Sequence, residues 1–429
     1  MIQTLFDYLN ESPVNFLACS AAARRLEAAG YRWLDPKLPM VPCEAGDRFY
    51  VTKNDSSIYA FHIGRRKLAD AGFHIICAHC DSPTFRIKPD PEILAEKRLI
   101  KLNVEMYGGV ILSTWFDRPL SLAGRVILKG ADRMHPVTRL IHIKRPLLTI
   151  PNLCIHFNRQ VNDGVKISVQ RDMQPVFALV SDAFENGSLL TSILCKELDV
   201  QVQDILDFDL YLYDTTSPCT FGAKDEFISA GRLDDLEMVS AGLEALIAHK
   251  DDVPEVTRIL AVFDNEETGS HTKQGAASPF LANFIERVVL SQGGTADDFY
   301  RSVEHAFMVS ADNAHAWHPN HADKYDPKCH PMLGEGPVIK FNAAQKYASD
   351  AVSAAVFASI CQEAGVPCQR FVNHSDVAGG STLGNILTAT MPIQGVDMGN
   401  AILAMHSVRE TGSVADYAYC VKAFTKFYE

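Results

Sequence analysis

Four separated stretches of this chain end an apolar run in side chains that can hold a metal ion or move a proton. HIICA (74–78) runs into His79 and Asp81, and RILAVF (258–263) runs into Asp264, Glu266 and Glu267. AFMVSA (306–311) runs into Asp312, His315 and His318, and AILAM (401–405) runs into His406. Imidazoles and carboxylates without thiolates suit zinc, cobalt or manganese at a catalytic centre better than a structural cysteine site. There are more such groups than one tetrahedral ion needs, and a two-metal site requires one carboxylate shared between its ions.

Taken singly, each piece has an ordinary alternative. His79 and Asp81 can form a hydrogen-bonded pair in a core. Glu266 and Glu267 can sit in a solvated turn or at the start of a helix, where negative charge is favoured. Asp234 in GRLDDL can serve only as the N-cap of the helix that follows. Cys77-x-x-Cys80 lacks the second pair that a four-thiolate zinc site needs. A nucleotide site is excluded for want of a G-x-x-x-x-G-K-[ST] phosphate loop. What joins the pieces is position: in open α/β sheets, ligands bind beyond the carboxyl ends of the strands.

The elements that position them follow from periodicity. The short apolar runs read as buried strands. Leu233, Leu236, Val239, Leu243 and Leu246 recur at helical spacing, as does the stretch 352–365. Phe16, Ala22, Leu26 and Ala29 mark helix within residues 1–35. Strands alternating with helices predict an α/β fold, a mostly parallel sheet flanked by helices. From 92 to 228 the texture changes to short β-rich pieces (RVILKG, RLIHI, LCIHF) between Pro and Gly turns. We read this as a β-rich domain inserted into a discontinuous catalytic domain formed by 1–91 and 229–429. A chain of 429 residues is in any case too long for one ordinary core.

A net charge of −12 argues against a nucleic-acid partner, which needs a basic face. No run is long enough to cross a bilayer. MIQTLFDYLNE has no basic region followed by an apolar stretch, so no signal peptide is expected. Eleven scattered cysteines, an odd number, suit reduced thiols in a cytoplasmic protein.

The chain resembles the aspartyl aminopeptidases, a family of dinuclear zinc exopeptidases. The resemblance lies in AHCDSP (78–83), VEMYGG and STWFDRPLSLAGRV (104–126), PNLCIHFNRQVN (151–162), GRLDDL (231–236), DNEETGS (264–270), SADNAHAWHPN (310–320), GPVIKFNAAQKYAS (336–349) and AMHSVRE near the end. Position by position, it implies that His79 and Asp312 hold one zinc and Glu267 and His406 the other, with Asp234 bridging them. It implies Glu266 as general base and Asp81 as the residue that orients His79. His315, Lys340 and Tyr347 match substrate-contacting positions, and His156 matches a residue that reaches the site of a neighbouring subunit. Cobalt or manganese can replace zinc in such a set. The expected substrates are peptides with acidic N-termini, and the expected assembly is a homo-oligomer, a tetrahedral dodecamer in the family, joined through the inserted domain.

Two points stand apart. The family usually has Asn after the bridging Asp; Asp235 stands there and is expected to face solvent. Read from residues alone, Lys340 is a solvated lysine. A dinuclear hydrolase of other specificity, whether a general aminopeptidase or an N-acyl amino acid deacylase, would share the metal ligands. A metal-stabilised assembly protein would have no need of an unligated Glu266.

Overall fold

The computed structural model describes residues 1–180 and 188–429. The chain forms two compact units. One comprises Met1–Asp81, Pro218–Met405 and Glu410–Glu429; the other comprises Ser82–Ser217 and His406–Arg409.

The first unit is built on a nine-stranded sheet. Its strands are β1 (Arg32–Trp33), β2 (Arg48–Lys53), β3 (Ser57–His62), β4 (Phe73–His79), β5 (Thr257–Phe263), β6 (Phe307–Ala311), β7 (Val338–Lys340), β8 (Gln369–Phe371) and β9 (Gln394–Gly399). They lie in the order β1-β2-β3-β5-β4-β6-β9-β7-β8. The central four, β5-β4-β6-β9, are parallel. Such strands are covered on both faces, which is why β4 and β5 read as continuous apolar runs. Alternate residues of β4 face opposite cores: Ile75 and Cys77 join one cluster, Ile76 and Ala78 the other. The helices Ile2–Glu11, Asn15–Ala28, Leu233–Ala248, Ala351–Glu363 and Val414–Phe427 cover the second face. Phe280–Ser291, Ala296–Glu304 and Leu383–Thr390 contribute to the first. In Leu233–Ala248 the apolar spacing is realised as a buried stripe that includes Leu236, Val239, Leu243 and Leu246. Each such side chain contributes about 1.5–3 kcal/mol on burial.

The second unit holds a six-stranded antiparallel sheet, in the order Val137–His142, Leu120–Leu128, Ile205–Asp214, Thr84–Ala95, Leu99–Tyr107, Val176–Leu179. One face packs on Leu190, Leu194 and Leu198 of the helix Leu189–Leu198. The unit's edges fall at 82 and 217 rather than at 92 and 228. Strand Thr84–Ala95 pairs with Leu99–Tyr107 and so crosses residue 91. Strands Cys219–Phe221 and Phe227–Ala230 belong to the first unit, where the latter pairs with Glu410–Ser413.

Two expected strands are not built. LCIHF lies in an exposed loop, with Leu153 and Phe157 open to solvent. AILAM supplies only a two-residue strand, Ala401–Ile402, that pairs with Ala314–His315; the sheet strand of that region is β9, just upstream. Its interrupted pattern, QGVDMG, hides the strand because Asp397 sits amid its apolar residues. No described helix is long and apolar enough to cross a membrane.

Candidate metal centre

Three loops at the carboxyl ends of adjacent strands, and the start of one helix, bring the charged residues of the first unit together. β4 ends on His79, β5 leads into Glu266 and Glu267, and β6 leads into Asp312. Asp234 and Asp235 open the helix Leu233–Ala248. Two turns that aim them use left-handed backbone at non-glycine residues, Arg232 (φ 62°) and Asn265 (φ 61°). Such backbone persists where surrounding contacts over-determine it. Arg232 is held by its guanidinium, which donates to Ser12 O (3.1 Å) and Leu9 O (3.2 Å).

Donor atoms of His79, Asp234, Asp235 and Asp312 lie within 4.8 Å of one another, as do those of His79, Glu266 and Glu267. Asp234 and Glu267 also offer oxygens within that distance, so Asp234 is common to both sides of the cluster. His79 Nε2 is 3.4 Å from Asp234 Oδ1. Its Nδ1 is 3.0 Å from Asp81 O and 3.3 Å from Asp81 Oδ1. The Asp81 carboxylate also accepts the backbone N–H groups of Glu266 and Glu267, each at 3.1 Å. Glu410 accepts the N–H of Asp234 at 3.1 Å.

The electrostatics are those of carboxylates crowded out of water. Burial pushes Glu266 up to about 8; Asp312, Asp81 and Asp234 add to this, while His79 opposes it. Burial and the facing Asp234 raise Glu267 well above the carboxylate range. Burial also raises Asp312, against the pull of Lys340. For His79 burial acts against the charged ring, yet the Asp234 and Asp81 carboxylates outweigh it and raise the imidazole well above its usual range. Such a cluster is costly without a compensating cation. Buried Asp235 Oδ1, moreover, has no hydrogen-bond partner among the described residues. Imidazole plus carboxylate, with no thiolate among the donors, fits zinc. Cys77 lies in one core and Cys80 in the other, its Sγ on Ser56 O, and neither joins the cluster.

Two expectations are corrected. Asp235 does not face solvent: it is fully buried, and its Oδ2 accepts the N–H of His79 at 3.1 Å. The tight turn at the helix start directs it inward. Lys340 is not solvated but 2% exposed, because its strand β7 lies inside the sheet. Its ammonium donates to Asp312 O (2.7 Å) and Asn313 O (3.3 Å), lies 3.6 Å from Asp312 Oδ2, and sits 5.3 Å from the centre of the Tyr347 ring.

His315 is exposed on the short strand Ala314–His315, its ring edge-on to Phe371. His318 packs on His321, outside the cluster. Asp264 is pinned by Asn15 Nδ2 at 3.0 and 3.1 Å instead of joining it. His406 follows Met405, where the first unit breaks off, and belongs to the second. There its Nδ1 is 3.0 Å from Gly109 O, and its backbone is left-handed (φ 69°). His156 is exposed on the second unit's loop.

The family model of Aminopeptidase I zinc metalloprotease (M18) matches residues 8–428. The chain belongs to the M18 family of zinc aminopeptidases. It is 49% identical over 424 residues to a probable M18 family aminopeptidase 2 of Clostridium acetobutylicum, covering 99% of this chain and 97% of that one. A chain of the cryo-EM structure of an Ape4–Nbr1 complex superposes on it with a TM-score of 0.95 at 35% identity, covering 99% of this chain and 84% of that one. The S. cerevisiae mApe1 dodecamer gives 0.87 at 25% identity, with 99% and 95% covered.

Proposed function

We propose that this M18 aminopeptidase removes Asp and Glu from peptide N-termini at a two-zinc centre. His79 and Asp312 would hold one ion and Glu267 and His406 the other, with Asp234 between them; the position of Asp234 on both sides of the first unit's cluster supports this. Bound zinc would polarise the scissile carbonyl and make an attacking water more acidic. Glu266 takes that water's proton and returns it to the leaving amine. Asp81 fixes the ring of His79 and the peptide N–H groups beneath Glu266. His315 is the donor toward the developing oxyanion.

The observation that carries the acidic specificity is the buried ammonium of Lys340. Two of its N–H groups go to carbonyls, and the third has only the Asp312 carboxylate, an ion-pair partner at 3.6 Å, near it among the described residues. A substrate carboxylate can accept it, and Tyr347 lines the same place. We further propose that the chain works in the cytoplasm as a homo-oligomer, in the manner of the mApe1 dodecamer. In that assembly the second unit would present His156 to a neighbouring subunit's site.

The test is hydrolysis of Asp-, Glu-, Ala- and Leu-p-nitroanilide with and without a chelator. Cleavage of the acidic pair, lost on chelation and restored by zinc, is expected. Equal cleavage of all four would favour a general aminopeptidase, the reading that the commitment of Lys340 to backbone carbonyls also permits.

A further inference from the structure

One buried carboxylate of the first unit takes no part in the metal cluster. Asp397 lies in the middle of β9, between β6, which leads to Asp312, and β7, which carries Lys340. It is fully buried, and among the described residues no basic side chain lies within ion-pair distance of it. Its Oδ1 accepts the hydroxyls of Ser310 and Thr382, and its Oδ2 accepts the backbone N–H of Ala348. Ser349 Oγ accepts the N–H of Asp397 at 2.9 Å and donates to its carbonyl at 3.2 Å.

These partners come from three places. Ser310 stands opposite Asp397 in the β6–β9 register, two residues before Asp312. Ala348 and Ser349 follow Tyr347 directly. Thr382 belongs to the Gly-rich stretch AGGSTLG (378–384). The carboxylate explains one glycine there: a Cβ on Gly384 would lie 2.6 Å from Asp397 Oδ2 and from Ser310 Oγ. The two loops are also tied to each other, since Lys346 Nζ donates to Gly379 O.

We propose that Asp397 is a positioning residue of the aminopeptidase site, clamping the Tyr347 segment and the Gly-rich stretch onto the strand that leads to Asp312. An apolar side chain would fill the same space without burying a charge, which is often the more stable solution. A carboxylate does what an apolar group cannot: it accepts from a hydroxyl of the sheet, a hydroxyl of one loop and a peptide N–H of the other, and so sets their mutual register. The proposal rests on the functional reading only in taking Tyr347 to face substrate.

The test uses Asp397→Asn, Thr382→Val and Thr382→Ser in the zinc-loaded full chain. Kinetics are measured on the best substrate of an N-terminal residue panel, with zinc content and Tm on the same samples. Loosened loops weaken substrate binding more than chemistry, so KM should rise about tenfold in Asp397→Asn and severalfold in Thr382→Val, with kcat within about twofold. Zinc content should hold, and Thr382→Ser should return KM to the wild-type value. Unchanged KM in both loss variants overturns the proposal. So does a parallel loss of kcat and kcat/KM that follows Tm, or a Thr382→Ser variant as impaired as Thr382→Val. Should Asp397→Asn not fold, the Thr382 pair decides alone. A wild type without preference for acidic N-termini would sink the specificity reading but leave this comparison intact on whichever substrate it prefers.

Discussion

The Asp81 carboxylate accepts the backbone N–H of Glu266 at 3.1 Å while its other oxygen accepts that of Glu267. One side chain at the end of β4 therefore sets the height of both adjacent glutamates at the end of β5 and also touches the ring of His79. On the proposed function, these neighbouring carboxylates divide their labour, one binding metal and the other moving protons. Groups that orient ligands in this way typically contribute 10–100-fold to metal affinity or activity, the loss expected for Asp81→Ala. Glu266→Gln should lower kcat by about 10²–10⁴-fold at unchanged zinc content. Elemental analysis beside steady-state rates checks both, and loss of zinc from Glu266→Gln would make Glu266 a ligand instead.

Lys340→Met should cut kcat/KM for N-terminal Asp far more than for Leu. It should also destabilise the fold, because Asp312 O and Asn313 O lose a buried donor, a deficit of about 1–3 kcal/mol each. Substrate competition and denaturant titration measure the two effects separately. Equal losses on Asp and Leu would remove Lys340 from specificity and leave it a support for Asp312.

His156 sits on an exposed loop of the second unit together with Leu153 and Phe157. If that loop completes a neighbour's site, activity should track assembly. His156→Ala should then lose turnover at unchanged particle size and zinc content. Sedimentation velocity run beside the assay checks this, and a fully active monomer would refute it.

Asp416 allows a test of pH linkage away from the metal centre. Burial pushes it up to about 6, with Glu335 adding, even though the N–H groups of Gly334 and Gly336 oppose the shift. An unfolded Asp releases its proton near pH 4. Between about pH 4 and 6 the folded chain thus binds more protons than the unfolded one, and stability from this group is lost as pH rises through that window. Asp416→Asn has no such proton, so its Tm should gain on the wild type's from pH 4 to 7. Parallel Tm profiles would show that Asp416 does not titrate in this way.

Much of the site could be read from the chain itself, because strands buried on both faces leave apolar runs and their polar ends stand out by contrast. His79, Glu266, Glu267 and Asp312 were visible for that reason. The strand of Asp397 was not, since a lone carboxylate between Val396 and Met398 breaks the run that would announce it. Nor was the loop character of LCIHF, whose apolar residues match a strand in type but face water.

Residue type and order alone were enough to specify the parallel α/β frame and the acids and imidazoles at its strand ends, since periodicity and strand termini are local properties. The inward turn of Asp235, the burial of Lys340 against Asp312 and the Asp397 clamp depend instead on groups far apart in the chain. Polar side chains lie at the surface unless a distant partner satisfies them. Only the folded chain brings those partners together.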